Sequence, residues 1–174
     1  MLVFGAGLLG ISYVAMCKEA GAEWIGLIDT ESSRLHWGPT FGANETYIFP
    51  EDTSGELPWP EVDMVFDMTG SPPAMKTGID SLALGGTAIW IGAVFPASSV
   101  PVDAQKIVRK ILEIKGLHNY NYEDFIKATA FIEKNHMKYP FDQLIEKEYQ
   151  LADEEEAFRF ANEEKPVRVG IQIC

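Results

Sequence analysis

Cysteine is scarce in this chain of 174 residues: only Cys17 and Cys174 are present, which excludes a disulfide framework and fits a reducing, cytoplasmic setting. Histidine is nearly as rare, with His36, His118 and His136 far apart and without metal-ligand spacing. Positive charge is short as well. Fourteen Lys and Arg face 26 Asp and Glu, for a net charge of −12, which argues against nucleic acid and against anionic membrane surfaces as partners. No apolar run approaches the roughly 18 residues a membrane span needs, and no signal peptide is expected ahead of the first strand. What is plentiful is hydrophobic side chain, 47% of the residues, enough for one domain with a real core.

Glycine is where the sequence becomes specific. Gly5, Gly7 and Gly10 sit in Leu2-Val3-Phe4-Gly5-Ala6-Gly7-Leu8-Leu9-Gly10, between an apolar run and a helical pattern. Asp29 follows about 20 residues later, at the end of a second apolar run, Trp24 to Ile28. That order is the fingerprint of a dinucleotide-binding turn. Gly5 allows the tight turn, Gly7 lets the backbone approach a pyrophosphate, and Gly10 lets helix and strand pack closely. The first helical amides then point at the phosphates. Asp29 is placed to accept hydrogen bonds from a ribose diol, although turns favour Asp in any case.

The rest of the chain alternates strand and helix. Leu2–Phe4, Trp24–Ile28, Glu45–Phe49, Val62–Asp67, Thr87–Ile91 and Leu112–Leu117 read as strands. Helices are expected over Ile11–Ala20, over Ser32–Trp37, from Ser71-Pro72 to a stop at Gly85-Gly86, and over Tyr122–Glu133 with Phe125, Thr129 and Ile132 on one face. Ser71 is a candidate N-cap, and Pro50 to Pro60 reads as a loop in place of a crossover helix. Near the end, Leu144–Tyr149 looks extended and Asp153 with Glu156 resembles a capping box, so Glu154-Glu155-Glu156 reads as a helix start rather than a metal site. Val167, Val169, Ile171 and Ile173 alternate with polar residues as a final strand. The fold class expected is α/β, a doubly wound parallel sheet of the Rossmann kind, with ligand at the carboxyl ends of the strands. A nucleotide-sensing module without chemistry and an adenosylmethionine-dependent methyl transferase share the turn and the acid, and strand order separates the latter.

The residues together resemble the cofactor domain of medium-chain alcohol dehydrogenases, mainly the zinc-dependent branch. The likeness runs from Leu2–Gly10 through Asp29 with Arg34-Leu35, Phe41-Gly42-Ala43, Asp63-Met64-Val65 leading to Thr69-Gly70, Leu84-Gly85-Gly86 to Ile91-Gly92, Ile114-Lys115-Gly116, and Ala157-Phe158 to Val169. Gly92–Pro96, Gly116–Tyr120 and Pro140–Ile145 are similar to a subgroup found with phosphonate-breakdown genes. The resemblance implies NAD as cofactor and hydride transfer between an alcohol or aldehyde and its nicotinamide. It assigns Gly5, Gly7, Leu8, Leu9 and Gly10 to the pyrophosphate, with Leu8 and Leu9 giving backbone amides. Asp29 falls to the adenosine ribose, Arg34 to the adenine ring (or to a solvated helix charge), and Thr69, Gly92 and Val94 to the nicotinamide side. It also implies a homodimer paired near Ala93 to Val102.

In that family an N-terminal domain holds substrate and zinc, and these residues carry no counterpart of it. The expectation is therefore a dinucleotide-binding domain over 1–140 and a segment, 141–174, that packs on the catalytic domain of a complete enzyme. No catalytic residue and no metal ligand is expected in this chain, and zinc belongs to the complete family member alone.

Overall fold

A computed structural model describes residues 1–173 and divides into two compact units, the first Met1–Asn121 and the second from Tyr122 onward. In the first unit β1 (Leu2–Phe4) lies at the centre of a sheet. It pairs in parallel with β2 (Gly26–Asp29) on one side and β4 (Val62–Asp67) on the other. With β3 (Glu45–Ile48), β5 (Leu82–Trp90) and β6 (Glu113–Gly116) the order is β3-β2-β1-β4-β5-β6, all parallel. This is the doubly wound order whose switch point lies between β1 and β4.

Strand alternation divides the core. Leu2, Phe4 and Ile28 face one side and join Trp59, Val65, Ala74, Ile79 and Leu82 in a buried cluster beside α4 (Pro72–Asp80). Full burial of a side chain such as Phe4 contributes about 1.5–3 kcal/mol. On the other face, Val3 approaches Gly10 of α1 (Leu8–Glu19), and Leu27 approaches Gly38 of α3 (Trp37–Phe41). Helices thus cover both faces, as the near-continuous apolar strands require. The Pro50–Pro60 stretch contains no helix or strand, as expected from its composition.

Several local expectations change. The single helix expected over Ser32–Trp37 is two short ones, α2 (Ser32–Leu35) and α3. α4 ends at Asp80, not at Gly85-Gly86, because the Ser81 amide closes back on Thr77 and the chain then extends. The two glycines instead lie inside β5, where the pairing with β4 shifts register and Gly85 takes φ +77°. That is the bulge use of glycine within a strand. Ser71 holds the N-cap position with extended backbone, and Pro72 opens the helix, but the Ser71 side chain makes no capping bond. Asp103 makes one: it accepts from the Gln105 and Lys106 amides at 2.9 and 3.2 Å, starting α5 (Ala104–Lys110).

The second unit contains α6 (Tyr122–Asn135), a 3-10 turn at Phe141–Leu144, and a parallel pair β7 (Ile145–Gln150) and β8 (Arg168–Gln172) joined through α7 (Glu154–Glu163). The Tyr149 and Phe160 rings meet at a tilt, with centroids 6.1 Å apart. Asp153 precedes α7 but makes no side-chain cap. Phe125 and Ile132 of α6 and Phe158 and Ile171 of the βαβ unit remain exposed. Among the described residues no helix is long and apolar enough to cross a membrane.

Candidate nucleotide site

The chain turns sharply as it leaves β1. Gly5 takes φ +101°, open to glycine at little cost, and its amide bonds the Ile28 carbonyl at 2.7 Å. Gly7 then caps α1 from an extended conformation. The glycines differ in what surrounds them. A Cβ on Gly10 would lie 1.7 Å from the Gly5 carbonyl oxygen, so Gly10 is a packing glycine. A Cβ on Gly7 would meet nothing within 4 Å and would project into open space. No packing demand explains Gly7. The first amides of α1, those of Leu8 and Leu9 among them, lack intrahelical partners by geometry and carry the positive end of the helix dipole.

Asp29 closes the other side of the turn. Its Oδ2 accepts the Ala6 amide at 2.6 Å and its Oδ1 accepts the Glu31 amide at 2.8 Å. The carboxylate is thereby fixed at the tip of β2 beside the glycine turn. A cavity of about 230 Å³ opens here, lined by Gly5, Asp29, Phe49, Thr69 and Ser71 together with Phe4, Ile28, Thr30 and Ala74. Phe49 meets Phe4 edge to face at 6.3 Å, and Phe4 meets Trp59 at 5.9 Å, so an aromatic cluster backs the cavity.

Thr69 lines this cavity together with Asp29. The neighbouring turn is held by Asp67, which is fully buried at the end of β4. Its carboxylate accepts from the Thr69 hydroxyl at 2.6 Å and from the Gly70 amide at 2.9 Å. Burial pushes the Asp67 carboxyl above the usual carboxylate range, against those hydrogen bonds, which pull it down. Gly70 takes φ +67° and abuts Gly92: a Cβ on Gly70 would lie 2.3 Å from the Gly92 oxygen, and one on Gly92 would lie 2.4 Å from the Gly70 nitrogen. The Gly92 amide bonds the Asp67 carbonyl at 3.0 Å.

Of the residues singled out in the sequence, Gly5, Asp29 and Thr69 share the cavity, and Gly7, Leu8, Leu9 and Gly10 follow directly as turn and helix start. Gly92 closes against Gly70, while Arg34 on α2 and the exposed Val94 do not line the cavity. Sequence reasoning left Asp67 and Ser71 out of the site, while Phe49 was counted among the strand ends that line the cleft. The Asp-x-Thr-Gly spacing at the end of an apolar strand was a signal for Asp67, since such an acid bonds its own backbone two and three residues on.

The donor set suits a dinucleotide: helix amides for phosphate, a fixed carboxylate for a ribose, and a largely apolar cavity for a base. It does not suit zinc. Among the described residues no group of three or more His, Cys, Asp or Glu side chains could hold a metal ion. His36 and His136 each bond a carbonyl of their own helical segment, and His118 contacts Asn119.

The profile of the family described as zinc-binding dehydrogenase matches residues 9–134. A D-xylulose reductase from Scheffersomyces stipitis is 27% identical over 168 residues, covering 90% of this chain and 46% of its own length. An L-threonine 3-dehydrogenase from Shigella dysenteriae is 33% identical over 139 residues, covering 76% and 40%. The chain thus spans less than half the length of these relatives. An alcohol dehydrogenase structure from Thermotoga maritima superposes with a TM-score of 0.85 at 22% identity, over 98% of this chain and 49% of its own. An Escherichia coli short chain alcohol dehydrogenase complexed with NADH matches at TM-score 0.80 and 17% identity, over 98% of this chain and 50% of its own. A Sinorhizobium meliloti zinc-binding dehydrogenase bound to NADP matches at 0.79 and 17%, over 90% and 47%.

Proposed function

This chain belongs to the zinc-binding dehydrogenase family, and from that membership we propose that it is the NAD-binding part of an alcohol-type oxidoreductase. The observation that carries the reading is the contrast between Gly7, whose missing side chain leaves open space, and Gly10, whose missing side chain is filled by the Gly5 carbonyl. Pyrophosphate lies over Gly7 and the first amides of α1. The adenosine half occupies the cavity of Asp29, Phe49 and Thr69, and the nicotinamide half extends toward Gly92 and Val94. The bound cofactor supplies the hydride chemistry; these residues bind and orient it.

Asp29 supports NAD over NADP. Its carboxylate stands where the extra phosphate of NADP would sit, and repulsion with a lost ribose hydrogen bond favours NAD by on the order of 1–3 kcal/mol. Fluorescence titration with NADH and NADPH tests this directly. Tighter NADPH binding overturns the cofactor assignment, and binding of neither overturns the whole reading.

The substrate in this reading is a small alcohol or aldehyde, held by parts of a complete enzyme beyond these residues. Among the described residues no group of side chains could hold zinc, and hydride transfer needs the substrate carbon held in orientation. The 174 residues on their own bind NADH without oxidising alcohols. Zinc-independent aldehyde reduction by them would show that the catalytic machinery has been misplaced.

Two further readings accompany this one. β6 is an edge of the six-stranded sheet, with Phe95, Val108, Ile111 and Leu117 exposed, which supports a homodimer; sedimentation giving only monomer across the micromolar range counts against it. The two-cysteine composition supports the cytoplasm as its compartment.

A further inference from the structure

The hydroxyl of Thr69 is used twice within the protein, once with a buried carboxylate and once with the backbone of the next turn. Its Oγ1 donates to Asp67 Oδ1 at 2.6 Å and accepts the Ser71 amide at 2.9 Å. The remaining bulk of the side chain, the Cγ2 methyl, lies against the glycine turn, where a Cβ on Gly5 would be 3.0 Å from it. Thr69 and Gly5 both line the cavity. Asp67 is fully buried and has no access to any ligand. We propose that Asp67 is a positioning residue that locks the Thr69 side chain so that its methyl, and not its hydroxyl, forms the wall of the nucleotide cavity.

Threonine then plays two separable parts. The hydroxyl satisfies a buried carboxylate and a turn amide, which is a matter of stability. The methyl gives the cavity an apolar surface against Phe4, Ile28 and Phe49, which is a matter of affinity. A free hydroxyl at the same place would present a polar wall, and a base would bind it less well. Asp67 decides between the two surfaces without touching the ligand.

The inference rests on the reading of the cavity as a dinucleotide site, and four variants of the 174-residue chain test it by NADH titration and thermal melting. Thr69→Ser keeps both hydroxyl bonds and loses the methyl: its Tm stays near that of the unmodified chain and its NADH Kd rises about fourfold, the effect of one buried carbon. Thr69→Val keeps the methyl and loses the hydroxyl: its Kd stays within about twofold while its Tm falls by several degrees. Asp67→Ala, which removes the acceptor of the Thr69 hydroxyl, weakens NADH binding with Thr69 in place, and the double variant Asp67→Ala, Thr69→Val recovers it, because valine has no hydroxyl to misplace. Unmodified protein that binds no NADH removes the dinucleotide site and this inference with it. Unmodified protein that binds while Thr69→Ser binds equally well, or Thr69→Val loses binding, removes this inference alone.

Discussion

Asp29 and Ala6, 23 residues apart in the chain, are joined by a 2.6 Å hydrogen bond from the Ala6 amide to the Asp29 carboxylate. The second oxygen takes the Glu31 amide, so one side chain ties the glycine turn to the tip of β2. Asp29→Ala leaves two amides without their acceptor. It is expected to lower stability by about 1–2 kcal/mol, to weaken NADH binding, and to narrow the preference for NADH over NADPH. Asp29→Asn retains one acceptor and should fall between. Paired melting and titration curves check both variants.

Gly7 and Gly10 should respond in opposite ways to the same methyl. Gly10→Ala drives a Cβ into the Gly5 carbonyl and is expected to cost on the order of 3 kcal/mol or more. Gly7 has ordinary backbone dihedrals, φ −77°, and open space beyond it. Gly7→Ala should leave the melting temperature within a degree or two yet weaken NADH binding by about tenfold or more, through the lost approach of phosphate to backbone. A Gly7→Ala protein that binds NADH normally would show that the ligand lies elsewhere.

Asp80 at the end of α4 bridges Lys76 and Lys106, at 2.6 and 2.5 Å, and so ties α4 to α5. Burial acts to raise its pKa, but the hydrogen bonds and charges of Lys106 and Lys76 together hold it below the ordinary value near 3.8. An acid whose pKa is lowered on folding stabilises the fold above its unfolded pKa and loses that contribution as pH falls through the folded value. The clamp is therefore at full strength at neutral pH and begins to weaken only below about pH 4. The side chains remain between 27% and 45% exposed, so solvent screening limits the pair. Asp80→Asn should cost about 1 kcal/mol at pH 7 and progressively less as pH falls from about 4 toward 2. Urea midpoints across that range check it.

Cys17 lies inside α1, 5% exposed, and burial pushes its thiol up to about 11. The thiolate is the reactive form. At pH 8 Cys17 should resist alkylation in the folded chain and label fully in denaturant. Peptide mass mapping distinguishes it from Cys174. Fast labelling of Cys17 in the native protein would contradict its burial.

The centre of the sheet was legible because its code is local. Largely apolar runs of three to six residues, each followed by a turn, gave β1, β3 and β4 within a residue or two, and Gly5 to Gly10 with Asp29 gave the turn. What failed was local code with two meanings. Gly85-Gly86 fits a helix stop as well as a strand bulge, and only the pairing of β5 with β4 decides between them. Ser71 and Asp153 have capping chemistry but do not use it, since a cap depends on a side-chain torsion that sequence does not specify. The resemblance assigns Thr69 to the nicotinamide side, and the structure sets it in a cavity together with Asp29. Which wall a strand end contributes depends on three-dimensional closure between β1, β2 and β4. Asp67 went unremarked as a site residue because a buried acid at a strand end looks, in sequence, like any turn aspartate.

The placement of β1 between β2 and β4 carries a kinetic consequence. Its partners are drawn from Gly26–Ile28 and Val65–Asp67, so the cavity walls at Gly5, Asp29, Phe49 and Thr69 come together only when these distant segments have all paired. Loop closure over such separations is paid late in folding. A nucleotide that needs every wall at once has nothing to grip in a partly formed sheet. Saturating NADH should therefore slow unfolding, by the full factor of its binding linkage, and leave the refolding rate unchanged. The cofactor acts as a latch on the closed sheet rather than as a template for closing it.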